Sequence, residues 1–161
     1  MSMRDYERAV ALIEGQANGG DFVGAKPTEL IAAAEEALGF TFPPTYRRFL
    51  SDYGAGGVGG TEIYGVIDAD FEDSSIPDGV WYNLQLRREG QAETLYVFYA
   101  VGDGTDFCLD TEHVADDGEM PVVGIYLGAE DREKIAPDFG SAFLMLVERS
   151  SAWPIQMADL P

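Results

Sequence analysis

The sequence predicts an α+β fold, in which a central and mainly antiparallel sheet is flanked by N- and C-terminal helices. Three observations lead to this prediction: apolar stripes at helical spacing near both ends of the chain, aromatic and β-branched strands in the middle, and short turns between those strands. The chain has 161 residues, and no linker or internal repeat divides it. We therefore assign residues 1–161 to a single domain.

The N-terminal part predicts two helices separated by a loop. Apolar residues at helical spacing over 3–13 predict the first helix, and the glycines and proline of 15–27 predict the loop. Thr28 is the expected N-cap of the second helix, because a threonine hydroxyl can accept a hydrogen bond from a free N–H of the first turn. Gly39 is its expected end.

The next stretch is the one around which we expect the fold to be organised. Pro44 suits the first turn of a helix, where a missing N–H has no partner to lose, and an apolar stripe follows over 46–53. Gly54 is placed to adopt the left-handed conformation that ends a helix. Residues 61–64 then predict a short strand that Gly65 ends.

The second half of the chain begins with a helix and a hairpin. Residues 76–88 predict a helix with Asp78 near its start. Residues 95–101 are aromatic and β-branched, which is typical of a central strand. A tight turn at 102–105 then leads into a second strand at 106–110.

The C-terminal part predicts two further strands and a closing helix. The strands lie at 121–127 and 133–136, and the second of them is expected at the edge of the sheet. Asp138 or a neighbour is the expected cap of the last helix. The tail at 150–161 has no assigned structure.

The order of these motifs resembles the SUKH superfamily, the fold of the fungal Smi–Knr cell-wall regulators and of many bacterial immunity proteins. The resemblance spans about residues 28–148. It is carried by the helix that ends on Gly54, by the strands 106–110 and 121–126, by the closing helix, and by the motif of Glu62, Tyr64 and Gly65. It implies a protein-binding domain without catalytic residues, in which that motif serves the fold and the rim of a binding cleft.

Acidity is the outlying feature of the composition. The chain has 29 acidic residues against 10 basic ones, for a formal net charge of −19. Such a field repels nucleic acid and anionic membranes, and it attracts basic proteins. We therefore expect neither nucleic acid nor membrane as a partner. The alternative, that acidity serves solubility or a salt-rich habitat, stays open.

The charges are also unevenly placed. No lysine or arginine lies within 49–86 or 89–131, and these gaps hold acidic clusters at 68–78 and 103–119. If both clusters lie at one end of the sheet, they form a concentrated negative surface. Two aromatic residues follow the first cluster and are of the type enriched at interface centres. The predicted partner-binding residues are Asp70, Glu72, Asp73, Asp78, Trp81, Tyr82, Asp116, Asp117 and Glu119.

Two motifs resemble ligand sites but lack the required context. Residues 54–59 fit G-x-G-x-x-G, yet a dinucleotide site needs a strand before the glycines and a helix after them, and here that order is reversed. Residues 68–73 resemble the start of a calcium loop, but Asp73 and Gly79 stand where such a loop has glycine and glutamate. We expect neither a cofactor nor a dedicated metal site.

Enzymatic readings have little support in the residues. Cys108 lies in an apolar strand and His113, the sole histidine, in an acidic loop, and no nucleophile elbow is present. A carboxylate pair for glycoside cleavage stays open, because nothing selects one pair among the acids. The expected class is a binding protein, not an enzyme.

The resemblance and the charge together predict an immunity protein that neutralises a toxin, expected to be a nuclease with a basic groove. The N-terminus lacks an apolar signal core and the one cysteine has no partner in the chain, which favours the cytoplasm. A monomer or weak homodimer is expected. The alternatives are a regulatory scaffold of the Smi–Knr type and an uncharacterised acidic hydrolase.

Overall fold

Residues 2–16, 19–101, 104–126 and 131–158 are described by a computed structural model, in which 151–158 are described by their backbone alone. The helices are α1 (Ser2–Glu14), α2 (Thr28–Leu38), α3 (Pro44–Asp52), α4 (Gly79–Arg88) and α5 (Phe139–Ala158). The strands are β1 (Asp21–Phe22), β2 (Gly56–Gly57), β3 (Leu95–Ala100), β4 (Thr105–Asp110), β5 (Val122–Tyr126) and β6 (Arg132–Ala136). The predicted α+β fold with an antiparallel sheet is confirmed.

The main sheet is an antiparallel meander in the order β3-β4-β5-β6, and β1 pairs with β2 in a small second sheet. The prediction that 95–101 forms a central strand is wrong, because β3 lies at an edge of this sheet. Its outer side is nevertheless covered. The backbone N of Tyr64 donates to the carbonyl O of Phe98, and the side-chain amide of Asn83 bonds both the N and the O of Val97. This cover explains why an edge strand has the apolar composition of a central one.

The core lies between one face of the sheet and the helices, and aromatic rings dominate it. Tyr46 of α3 is fully buried, and its ring contacts Phe49, Phe98 and Phe139 at centroid distances of 6.2, 6.5 and 5.0 Å. Its hydroxyl donates to the carbonyl O of Tyr64 at 2.7 Å. The helix at 44–52 therefore has the organising position that the sequence predicts.

Local boundaries differ from the sequence predictions at three places. Thr28 is the first residue of α2 and makes no capping bond, since the N-cap position is held by Pro27. Residues 61–64 make only an isolated bridge, between Gly56 and Ile63, and no regular strand. The tail is helical as far as Ala158, because α5 continues through it. Residues 102–103 of the predicted turn and 127 of the predicted strand lie outside the described residues.

No helix among the described residues is both long and apolar enough to cross a membrane.

Candidate partner interface

The first acidic loop, residues 67–77, lies before α4 and is organised by its own carboxylates. Oδ1 of Asp68 accepts a hydrogen bond from the backbone N of Asp70 at 2.9 Å. Oδ1 of Asp70 accepts from the backbone N of Glu72 and of Asp73, at 3.2 and 3.0 Å. These four side chains are exposed. The loop therefore presents carboxylates to solvent on a backbone that short local hydrogen bonds hold in place.

A first cavity of about 680 Å³ lies between this loop and α4. It is not purely acidic, because Arg88 of α4 pairs with Glu72 at 3.2 Å across it. Of the predicted contacts in this loop, Asp70 and Asp73 make no ion pair within 4.0 Å among the described residues. The lining residues are Ala37, Ala69, Asp70, Phe71, Glu72, Leu84, Arg87, Arg88 and Glu93.

The second acidic loop, residues 111–119, joins β4 to β5 and ends in a tight turn. The backbone N of Ala115 donates to the carbonyl O of Glu119 at 2.8 Å, and the N of Gly118 donates to the O of Ala115 at 2.9 Å. Gly118 has a φ of 87°, which a residue with a Cβ adopts only at a cost. Asp116 and Asp117 lie at the apex of this turn and are exposed. The turn presents two adjacent carboxylates in a fixed position.

Glu119, in contrast, is buried and fastens the loop to α3. Its carboxylate accepts from the backbone N and from the hydroxyl of Thr45, at 2.9 and 2.8 Å. The backbone N of Gly140 donates to the same hydroxyl at 3.1 Å, so one threonine joins the loop to α3 and α5. Burial raises the pKa of Glu119, and the bonds from Thr45 oppose that shift. Glu119 is only 4% exposed, so its predicted role in partner contact does not fit the structure.

Asp78 is the second predicted partner contact that is buried in the structure. It is fully buried at the N-terminus of α4, where its Oδ1 accepts from the backbone N of Trp81 at 3.0 Å. Burial raises the pKa of this carboxyl, and the bond from the Trp81 backbone opposes the shift. The capping role of Asp78 has a signal in the sequence, because an aspartate directly before a helix is a preferred N-cap.

The two predicted aromatic anchors lie on α4 and not between the acidic loops. Tyr82 packs edge-to-face on Tyr64 at 5.1 Å, within a small cluster on the outer face of the sheet that includes Leu95 and Val97. Trp81 is half-buried one turn before Leu84, a residue that lines the first cavity. Neither residue lines the second cavity, described next.

A groove that the sequence did not predict lies beside the second acidic loop. This apolar groove has a volume of about 380 Å³. Val114 stands at its mouth with 55% of its surface exposed, while Phe42 and Met120 are almost fully buried. The only sequence signal is an isolated valine in an acidic loop. The lining residues are Phe40, Thr41, Phe42, Pro44, Arg47, Thr111, Val114, Gly118 and Met120.

The two cavities flank one segment of chain. The first reaches Ala37 at the end of α2, and the second begins at Phe40 in the connection to α3. Glu93 lines the first, and the next residue, Thr94, accepts hydrogen bonds from the backbone N and the hydroxyl of Thr111, both at 2.9 Å. The two acidic loops therefore border neighbouring cavities, although only the second loop is a hairpin tip. Asp103, which the sequence grouped with it, lies outside the described residues.

Comparison with known families gives a match over most of the chain. The family model described as SMI1-KNR4 cell-wall, of the SUKH group, matches residues 7–145. The chain belongs to the SUKH family. The match begins well before residue 28 and so includes most of α1, which the motif-based resemblance left out. SUKH membership and the α+β fold agree with the sequence prediction.

Two residues of the Glu62–Gly65 motif, Tyr64 and Gly65, have structural roles in this SUKH domain. A Cβ added to Gly65 would lie 1.8 Å from the carbonyl O of Gly54, so the backbones cross too closely for any side chain there. The carbonyl O of Tyr64 accepts the Tyr46 hydroxyl. Burial raises the pKa of Tyr64 to about 12. Glu62 is exposed and lines a shallow cavity with Asp21.

Cysteine chemistry has no support in this SUKH domain. Cys108 is fully buried, and burial raises the pKa of its thiol well above the ordinary value. A thiolate is the reactive form, so such a thiol is a poor nucleophile at neutral pH. His113 is exposed, and its Nδ1 lies 2.8 Å from Oδ2 of Asp110, a carboxylate that Arg132 also approaches at 3.7 Å. These side-chain contacts on the outer face of the sheet hold the start of the second acidic loop.

Within the described parts of the chain, no group of three or more histidine, cysteine, aspartate and glutamate side chains is arranged to hold a metal ion. The carboxylates of 68–73 bond backbone N–H groups instead, as described above.

Proposed function

We propose that this SUKH protein is an immunity protein that binds a bacterial toxin through the surface bordered by the two acidic loops. The observation that carries the proposal is their placement beside neighbouring cavities along one segment of chain. The contacting residues are then Asp70, Glu72, Asp73, Asp116 and Asp117, with Trp81 at the margin. Asp78 and Glu119 hold the loops in shape, and Tyr82 belongs to the outer face of the sheet.

The charge points to a basic partner. At a formal net charge of −19, the chain attracts cationic surfaces over about a Debye length, ~8 Å at physiological ionic strength. The nucleic-acid groove of a nuclease is cationic, so carboxylates that enter it would exclude the substrate by charge and by bulk. Complementary charge would also raise the association rate toward ~10⁸–10⁹ M⁻¹s⁻¹ at low salt. On this proposal the protein works in the cytoplasm, as a monomer or weak homodimer, and catalyses no reaction.

The direct test uses the toxin domain that the proposed function expects a neighbouring gene to encode. Co-expression is expected to restore the growth of cells that produce this domain. In stopped-flow measurements, the double variant Asp116→Asn and Asp117→Asn is expected to associate about three- to tenfold more slowly at low salt. Asparagine keeps the Oδ1 acceptor that Asp117 offers to the backbone of Glu119. The dissociation rate is expected to change less than the association rate.

The matched control removes the same charge elsewhere. Glu7 and Glu14 are exposed on α1, so Glu7→Gln with Glu14→Gln lowers the negative charge by the same amount without touching either loop. This control is expected to associate at the wild-type rate within a factor of about two. Equal slowing in both double variants would mean that net charge acts without a specific surface. Failure of co-expression to protect the cells would contradict the proposed function.

A further inference from the structure

We propose that the apolar groove is the anchor site of this surface, and that it takes an apolar side chain flanked by lysine or arginine in the partner protein. The inference rests on the proposed function, and it adds which part of the surface provides the affinity for the partner. It replaces the expectation that Trp81 and Tyr82 of this chain are the anchors, because neither lines the groove.

The groove is an exposed apolar site on a strongly charged protein. Phe42 and Met120 are 1% and 3% exposed and form its floor, while Phe40 is half-buried. Val114 is 55% exposed, the second-highest value among the large apolar side chains that are exposed in the described residues. Covering this valine and the edge of Phe40 would remove apolar surface from water, at about 25 cal/mol per Å². An apolar occupant therefore gains free energy in the groove that a purely ionic contact does not.

The charge around the groove selects what flanks that occupant. Glu112, Asp116 and Asp117 are exposed on the same loop as Val114. Arg47 is the cation among the lining residues, and Glu35 pairs with it. The loop that borders the groove therefore carries three exposed acids, against the one paired arginine of the lining. The complement of this charge is a segment with lysine or arginine on either side of the apolar side chain.

The groove is also rigid enough to bind a partner side chain without a large loss of conformational entropy in the loop. Backbone hydrogen bonds close the 115–119 turn, and Glu119 fastens it to Thr45. At about 380 Å³ the groove is within the size range of ligand pockets, roughly 300–1,000 Å³, and can hold one aromatic side chain. Little loop entropy is lost when such a site is filled.

The substitution Val114→Glu separates apolar anchoring from charge. It adds a negative charge to the second acidic loop, so charge alone predicts binding of the neighbouring-gene toxin domain that is equal or tighter. The anchor proposal predicts binding about tenfold weaker, through faster dissociation, because the mouth of the groove becomes polar. The matched control is Val23→Glu, since Val23 is 43% exposed near β1 and away from the groove. Equal or tighter binding by Val114→Glu would overturn the inference.

A peptide probe tests the groove without the toxin. The fluorescent peptide KRKFKRK is expected to bind at least about tenfold more tightly than KRKSKRK and than the uncharged NQNFNQN, and to lose this preference with Val114→Glu. Equal binding of the first two peptides would remove the apolar anchor. Equal binding of KRKFKRK and NQNFNQN would mean a site for apolar small molecules in place of a basic protein segment. Both results would overturn the inference.

These two experiments also keep the two proposals apart. If the peptide binds as expected but the neighbouring-gene toxin domain does not bind, the groove stands and the immunity function fails. If the toxin domain is neutralised and Val114→Glu leaves its affinity unchanged, the immunity function stands and the anchor groove fails.

Discussion

The bond between Glu119 and Thr45 gives the sharpest stability prediction. The substitution Thr45→Val keeps the side-chain shape but removes the hydroxyl, which is fully buried. The carboxylate of Glu119 then loses its 2.8 Å donor, and the backbone N of Gly140 loses its 3.1 Å acceptor. A hydrogen bond to a charged group contributes about 1.5–3 kcal/mol, and a buried donor left without a partner costs about 1–3 kcal/mol.

We therefore expect the free energy of unfolding to fall by about 3 kcal/mol in Thr45→Val, since the two losses share one hydroxyl and do not add fully. Urea denaturation with linear extrapolation measures this change. Thr28→Val is the matched control, because Thr28 is exposed and makes no capping bond, and its effect is expected to stay within about 0.5 kcal/mol.

Amide hydrogen exchange in the same variant is expected to speed up across residues 111–119, since the loop loses part of its attachment to α3. A loss of stability below about 1 kcal/mol, with unchanged exchange in this loop, would refute the assigned role of Glu119.

Three further predictions follow from buried polar groups and close backbone contacts. Burial raises the folded-state pKa of Asp78, Asp106 and Glu119, so protonation of these carboxyls favours the folded state. This gain in stability is complete at a pH below their unfolded-state pKa values, and it is lost as the pH rises through their folded-state pKa values. The melting temperature is therefore expected to rise as the pH falls from neutral toward the ordinary carboxyl values of about 4, and to rise less in Asp78→Asn. Calorimetry showing a fall over that range would contradict the pKa directions. Asn83→Leu leaves the N and O of Val97 unpaired and is expected to cost about 3 kcal/mol in urea denaturation, whereas a cost under about 1 kcal/mol would mean that β3 finds other partners. Gly65→Ala places a Cβ 1.8 Å from the carbonyl O of Gly54 and is expected to yield little folded protein. Gly90→Ala has open space around its Cβ but a φ of 101°, so it is expected to fold with a loss of about 1–3 kcal/mol. Normal folding of Gly65→Ala would contradict this backbone crossing.

Helix and strand positions could be predicted from the sequence because they depend on local periodicity. The stripe at 46–53 and the strand at 106–110 carry apolar patterns that few other structures satisfy. The edge position of β3 could not be predicted this way. An apolar strand can stand at this edge because Asn83 and Tyr64, from other parts of the chain, form hydrogen bonds with its open side.

The candidate site could likewise be predicted only in part. The clusters of acidic residues in the sequence indicated both loops, but they could not show which carboxylates are exposed and which bond to the backbone. Asp116 and Glu119 are three positions apart in one loop, yet only the first is exposed, because the second meets Thr45 across the fold. The apolar groove depends on Phe40, Val114 and Met120 coming together from separate segments, so no local pattern could predict it.

The most direct measurement is amide hydrogen exchange of this protein alone and in complex with the toxin domain that the proposed function expects a neighbouring gene to encode. We expect slower exchange in the complex at residues 40–47 and 111–120, with a smaller effect at 67–73 and none in α1. Protection confined to α1 or β6, with the groove and both acidic loops unchanged, would contradict the proposed interface.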